Sequence, residues 1–314
     1  MLKDANFLLE IGTEEIPAGY IPPAIEAVKK VFVENLGGNR IGFDSIEVYA
    51  TPRRTAVLIS KLAASQREEE VELKGPSVKA AYDGSGKPTK ALEGFLKGNG
   101  ISAGDVFTRE SDKGSYVFAK KKLDSKKTDE LLPGIVTQIV SAIPFPKRMK
   151  WSDKTVTFPR PIRYFVILFN GAVVPFEIDG IASSSLTRGH YVQNNRMVEI
   201  RDIGSYDEIL KENGIIINQE ERSEMIQKDL ADAAKQAGGA LLEDEELLKT
   251  VTYLVERPYI CTCRFDRQFL TLPDIVLIAE MREHQKYFSV VDGSGKLTDA
   301  FLVVSNNPAT ANVR

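Results

Sequence analysis

The chain has 314 residues, 43% of them hydrophobic and 27% charged, which is the balance of a soluble globular protein with length for two cores. No apolar run approaches the ~20 residues that span a bilayer, so a helical membrane protein is excluded. Two cysteines, Cys261 and Cys263, argue against a disulfide framework, and the opening Met1-Leu2-Lys3-Asp4 lacks the pattern of a signal peptide, so a cytoplasmic location is expected.

Residues 6–12 predict a strand running into a turn. Ile21, Ile25, Val28, Phe32 and Leu36 then recur at spacings of 4, 3, 4 and 4, one stripe of an amphipathic helix. Pro22 and Pro23 suit its first turn, and Gly37-Gly38 should stop it. Residues 46–49 and 55–62 read as strands flanking Thr51-Pro52-Arg53-Arg54. A second helix is expected over 89–97, capped by Thr89 and ended by Gly98 and Gly100. Strands follow near Val106 and over 116–119, then a helix over 128–142 that Pro133-Gly134 should interrupt. Residues 164–169 and 173–178 read as a hairpin around Asn170-Gly171. Helices are expected over 206–212, 219–237 and 245–254, with a further helical stretch over 273–286. A last hairpin should pair 287–291 with 300–304 across Asp292-Gly293-Ser294-Gly295. Helices and strands mix without a regular βαβ beat, so the expected class is α+β with mostly antiparallel sheets, in two lobes, 1–200 and 201–314.

Charge is unevenly placed. From Lys147 to Arg163 there are six basic residues and one acid, with Trp151, Phe158 and Tyr164 among or beside them, on segments stiffened by prolines. Cations interleaved with aromatics on presented loops suit a phosphate-rich partner with exposed bases or sugars; a solvated rim on a sheet is the plainer alternative. Residues 199–248 hold 14 acids against 5 bases, which suggests a polarised molecule or merely solvated helix faces.

Other constellations carry less. Asp83-Gly84-Ser85-Gly86-Lys87 and Asp292-Gly293-Ser294-Gly295-Lys296 repeat five residues, but Pro88 and Leu297 follow where a phosphate-binding loop needs Ser or Thr, so turn chemistry explains both. Cys261-x-Cys263 has no second pair, and only His190 and His284 exist, so a metal-free reduced pair is expected and acid–base chemistry is limited. Glu14-Glu15 could be a working carboxylate pair, but is better read as favouring a helix dipole. Arg188-Gly189-His190-Tyr191 could grip a nucleotide or end a strand, and 282–287 reads as a polar helix end.

Taken in order, several stretches resemble one family, the bacterial glycyl-tRNA synthetase beta subunit. They are Leu8-Leu9-Glu10-Ile11-Gly12-Thr13-Glu14-Glu15-Ile16-Pro17 with Ile21-Pro22-Pro23-Ala24, Ala50-Thr51-Pro52-Arg53-Arg54, Lys74-Gly75-Pro76 and Ala91-x-x-Gly94-Phe95. The series continues through residues 143–151, Arg160-Pro161-Ile162-Arg163, Arg188-Gly189-His190 and Met281-x-x-His284-Gln285-Lys286-Tyr287-Phe288. The resemblance implies an accessory subunit of a ligase whose alpha subunit holds the class II core and uses ATP and Mg to attach glycine to tRNA, in an alpha2-beta2 assembly. It implies no cofactor in this portion and no catalytic residue. Members of the family extend further, with a helical middle domain and an anticodon-binding end, so this sequence is expected to be an N-terminal portion.

The same resemblance likens the fold to the editing-type domain of phenylalanyl-tRNA synthetase beta subunits. Glycine is the smallest amino acid, so a tight pocket excludes every competitor and double sieving is not needed; binding and assembly are expected, with a hydrolase as the lesser alternative. The residues expected to meet RNA phosphates are Arg53, Arg54, Lys147, Arg148, Lys150, Arg160, Arg163 and Arg188, with Trp151 and His190 stacking or hydrogen-bonding. A purely structural module docking the alpha subunit is the rival. The two differ in whether the loops near 53, 150, 160 and 188 converge on one face.

Overall fold

The structure, a computed structural model, describes residues 5–111 and 114–308. Residues 64–128 form one compact unit and the segments on either side of them form another.

The flanking unit begins with β1 (Ala5–Thr13), the central strand of its main sheet. α1 (Ile21–Gly38) follows, and its stripe of Ile21, Ile25, Val28, Phe32 and Leu36 is buried throughout. The prolines sit in its first turn, where a missing N–H removes no helix bond, and the helix ends on the expected Gly37-Gly38 pair. β2 (Ser45–Thr51) and β3 (Arg54–Ser60), the strands expected on either side of Thr51-Pro52-Arg53-Arg54, pair as an antiparallel hairpin.

The inserted unit contains β4 (Glu69–Ser77), α2 (Val78–Ala81), α3 (Lys90–Asn99), β5 (Val106–Ser111) and β6 (Gly114–Leu123). Its antiparallel sheet has the order β4-β6-β5, and Ala81, Leu92 and Val117 form its core. α3 ends on Gly100 in the left-handed region as expected, but the Thr89 hydroxyl donates to the Ala80 carbonyl instead of capping the helix.

Back in the flanking unit, α4 (Thr128–Ala142) runs unbroken through Pro133-Gly134. Leu132, Ile135, Val136, Ile139 and Val140 are buried in the core, and that packing outweighs the one backbone bond a proline removes. The two-residue strands β7 (Met149–Lys150) and β8 (Thr157–Phe158) pair in the basic segment. β9 (Ile162–Phe169) then turns through Asn170 (φ +49°) and Gly171 (φ +79°) into β10 (Ala172–Val173). This hairpin is shorter than expected: after Val173 the chain leaves the ladder, and β11 (Glu177–Ile178) pairs with β12 (Ile181–Ser184) across Asp179-Gly180. β12 returns parallel to β9, giving the order β11-β12-β9-β1-β3-β2 with β10 beside β9.

Both faces of this sheet are covered. Phe7, Leu9 and Ile11 join the cluster with α1 and α4. Leu8, Ala56, Leu58, Val166 and Leu168 join Ile203, Ile215 and Ile217 on the other side, together with Tyr206 and Leu210. β13 (Leu186–Arg188) and β14 (Met197–Glu199) lead into α5 (Tyr206–Glu212), which supplies the last two. α6 (Gln219–Gln236), β15 (Ala240–Leu241), α7 (Glu245–Thr252), β16 (Tyr259–Arg264) and α8 (Asp274–Glu280) follow, then β17 (Phe288–Val291) and β18 (Leu297–Ser305). The antiparallel order is β15-β17-β18-β16, and Ile226, Leu230, Leu247, Val251, Phe288 and Leu302 fill its core. The stretch over 273–286 is α8 followed by a π-helical turn, Met281–Gln285, that Lys286 ends in the left-handed region. Cys261 and Cys263 are free thiols two apart on β16 and so share a face.

The class is α+β with mostly antiparallel sheets. Among the described residues no helix is long and apolar enough to cross a membrane. The Asp83 and Asp292 carboxylates each accept from the N–H and hydroxyl of the serine two residues on and from the lysine N–H beyond it, so both five-residue copies are turns of one build.

Candidate nucleic-acid interface

Strand register decides which side chains meet here. Glu10 lies opposite Ala56 and Val166, and Gly12 opposite Arg54 and Tyr164, so Glu10, Arg54 and Tyr164 share the Leu8 face of the sheet. Gly12 is needed for this, because a Cβ there would lie 2.1 Å from the Tyr164 ring. Arg54 Nη1 donates to Glu10 Oε1 (3.1 Å) and Nε to Glu256 Oε1 (3.0 Å). Glu10 also accepts from the hydroxyls of Tyr164 (2.6 Å), Tyr206 (2.7 Å) and Thr187 (2.8 Å). All three charged groups are buried. Burial alone would lower the Arg54 pKa, but the Glu256 and Glu10 carboxylates outweigh it and raise the value well above the ordinary one. Burial, reinforced by Glu10, pushes the Tyr164 and Tyr206 phenols up.

Beside this network lies a narrow crevice of about 20 Å³, to which the β2–β3 turn, β9 and the end of β13 bring Arg53, Arg163 and Arg188, together with Thr13, Tyr191 and Glu256. Arg53 pairs with Glu14 (3.1 Å) and Glu15 (3.3 Å), and its guanidinium lies 3.9 Å from the centre of the Tyr191 ring. Arg163 reaches Glu14 at 3.4 Å. The two glutamates therefore orient arginines; α1 has no acid in its first turn, which corrects the dipole reading. Arg188 closes β13, and Gly189 permits the Asn194 carbonyl to approach, since a Cβ would meet it at 2.2 Å. Thr13 Oγ1, Arg188 Nε and Glu256 Oε2 are buried without a hydrogen-bond partner in the protein.

Arg163 also lines a second, larger groove of about 320 Å³ with Trp151, Phe158, Ile162 and Ile181. Trp151 is fixed by donating Nε1–H to the Phe158 carbonyl (3.1 Å). Lys154, on the same groove, donates to the Asp179 carbonyl (2.6 Å). The Asp179 carboxylate accepts from the Thr155 hydroxyl and from the N–H groups of Val156 and Thr155, which holds its pKa below the usual range. Lys147 and Lys150 are exposed, and Arg160 donates to the Pro159 carbonyl.

Residues 7–314 match the family model described as glycyl-tRNA synthetase beta subunit. The chain belongs to that family. Glycine–tRNA ligase beta subunits of Syntrophotalea carbinolica, Trichlorobacter lovleyi and Clostridioides difficile are 40%, 42% and 39% identical to it over 305, 304 and 302 residues. These matches cover 96–97% of this chain but 44% of each relative, so the chain spans less than half their length.

Within this member of the family, three of the residues expected to face RNA are otherwise engaged. Arg54 is inside the protein. Arg148 donates to the carbonyls of Val140, Ser141, Ile143 and Thr157, tying the end of α4 to β8, and partial burial lowers its pKa. His190 is fully buried: Nδ1 accepts from the N–H groups of Val192 and Gln193, and Nε2 meets Asn306 Oδ1 at 3.1 Å. Physically, each sits where carbonyls, carboxylates or N–H groups of the protein already saturate it. Sequence reading missed Glu10, Glu256, Tyr206 and Arg222. Arg222 is buried and donates to the carbonyls of Ala50, Ile216, Ile217 and Thr252, and burial pushes its pKa down to about 10. A lone acid in Phe7-Leu8-Leu9-Glu10-Ile11 was the available signal.

Proposed function

We propose that this chain is the part of a glycine–tRNA ligase beta subunit that holds the tRNA acceptor arm and docks the alpha subunit. The observation that carries the first role is convergence: Arg53, Arg163 and Arg188, far apart in sequence, meet around one crevice at whose rim phosphates would lie, and Arg163 continues it into the Trp151 groove. Lys147, Lys150 and Arg160 extend the cationic surface in the same basic segment. A-form RNA is read through its backbone and shape, so such a surface suffices without a base code. In this reading the alpha subunit uses ATP and Mg for glycylation in an alpha2-beta2 enzyme of the cytoplasm, and the chain alone does not charge tRNA. The functional division is placed between 1–200 and 201–314, and the fold is likened to the editing-type domain of phenylalanyl-tRNA synthetase beta subunits without its hydrolysis.

Docking is supported by Phe269, Leu272, Ile275 and Val276, an exposed apolar series in which Ile275 is 77% accessible. Ile275→Asp is expected to weaken capture of the alpha subunit while leaving the chain folded. For the RNA role, Arg160→Ala with Arg163→Ala is placed in the complete alpha-beta enzyme and tRNA affinity is measured against salt. The slope of log K against log salt should flatten by roughly 0.7 to 0.9 for each phosphate that the variant no longer neutralises. A folded double variant with the wild-type slope overturns the RNA role.

A further inference from the structure

We infer that the groove and the crevice joined at Arg163 form a pocket for one unpaired ribonucleotide, the base in the groove and a ribose hydroxyl in the crevice. This rests on the RNA reading above and sharpens it to a substrate class. The groove has the volume of a small-ligand site, about 320 Å³, with an aromatic wall at Trp151 and apolar walls at Phe158, Ile162 and Ile181. A duplex keeps its bases stacked inside, so only an unpaired base can enter such a slot and stack on an indole. Two cations, Lys154 and Arg163, against one carboxylate, Asp179, line the groove within a segment of six cations and one acid, which suits a phosphodiester better than an apolar peptide.

The crevice supplies the sugar contact. Residues lining it carry buried polar atoms without a protein partner, of mixed kind: a carboxylate oxygen that only accepts (Glu256 Oε2), a guanidinium N–H that only donates (Arg188 Nε) and a hydroxyl that does both (Thr13 Oγ1). Each is buried, so leaving it unpaired is costly. At about 20 Å³ the space admits a group the size of a hydroxyl or a water, not a phosphate. A ribose hydroxyl donates and accepts at once, which meets the carboxylate and the guanidinium together. That same group distinguishes RNA from DNA.

The test titrates the 314-residue chain with a single-stranded ribohexanucleotide, its deoxy counterpart and a blunt RNA hairpin. Trp151, the one tryptophan in the sequence, reports occupancy of the groove. The RNA strand should change its emission saturably, the DNA strand should bind about tenfold more weakly, and the hairpin should leave emission unchanged. Ile181→Glu should abolish the response. Thr13→Val keeps the side-chain shape and removes a hydroxyl with no protein partner, so the variant should fold normally and prefer RNA less. An unchanged emission with the RNA strand, equal affinity for RNA and DNA, or a folded Thr13→Val with wild-type preference overturns the pocket. Gel-mobility binding of tRNA by the same chain separates the two readings. If tRNA binds while Trp151 stays silent, the pocket alone is wrong; if no tRNA binds, the RNA reading falls with it.

Discussion

Arg53 and Arg54 are neighbours in sequence and opposite in use. Arg54 opens β3 on the Leu8 face of the sheet and is held by Glu10 and Glu256, all three buried. Arg53 sits in the hairpin turn, stacks on the exposed Tyr191 and lines a crevice with Arg163 and Arg188. The same division separates Arg148, whose guanidinium gathers four carbonyls, from the half-exposed Arg163. Charge in this chain therefore has two tasks. Arg54 and Arg148 join elements of the fold through carboxylates and carbonyls, and in the proposed reading Arg53 and Arg163 present charge to a partner. The first kind should act on stability and, in the proposed reading, the second on salt-dependent binding.

Substitutions that break one task should leave the other largely intact. The largest effect is expected from Arg54→Met, which strands Glu10 and Glu256 inside the protein and should cost about 3–5 kcal/mol in denaturant unfolding. An unfolding midpoint close to that of the wild type would refute the joint.

Tyr206→Phe removes one donor from Glu10 and should cost about 1–3 kcal/mol by the same measurement. It also sharpens the pH dependence. Burial and Glu10 raise the folded Tyr164 and Tyr206 phenols, while unfolded tyrosines ionise near pH 10. The contribution of a raised acid is complete below that value. As pH climbs above it, the unfolded chain releases protons that the folded chain keeps, so stability falls. The fall between about pH 9 and about pH 11 should be shallower in Tyr206→Phe than in the wild type, followed by circular dichroism in urea.

Arg148→Ala leaves carbonyls at the end of α4 without their donor and should cost about 1 kcal/mol, with the salt slope of tRNA binding unchanged. The smallest effect on stability belongs to Arg163→Ala, within about 0.5 kcal/mol as for an exposed side chain, yet here the salt slope should flatten. Equal behaviour of these two variants in both assays would erase the distinction between the arginine sets.

Much of the fold could be read along the chain because the determinants are local. The Ile21-to-Leu36 stripe, the Asn170-Gly171 turn and the closing hairpin over Asp292-Gly293 each follow from spacing or turn chemistry within a few residues. Local rules failed where distant packing competed. Pro133 lies inside an unbroken α4 because the helix buries an apolar face, and the hairpin after β9 ends early because Glu177–Ile178 finds a partner across Asp179-Gly180.

For the candidate interface, the sequence by itself determined the chemical stock: a run of cations with one tryptophan among them, Arg53 in a turn, and Arg188 before a glycine. Only the tertiary structure decided which of these face outward. Residue type sets what a guanidinium can bind, but burial depends on strand register, and register is fixed by residues far away in the chain. Glu10 meets Arg54, and Glu256 meets the same guanidinium from more than 200 residues on, because β1, β3 and the loop after α7 come together in space. No local pattern encodes that meeting.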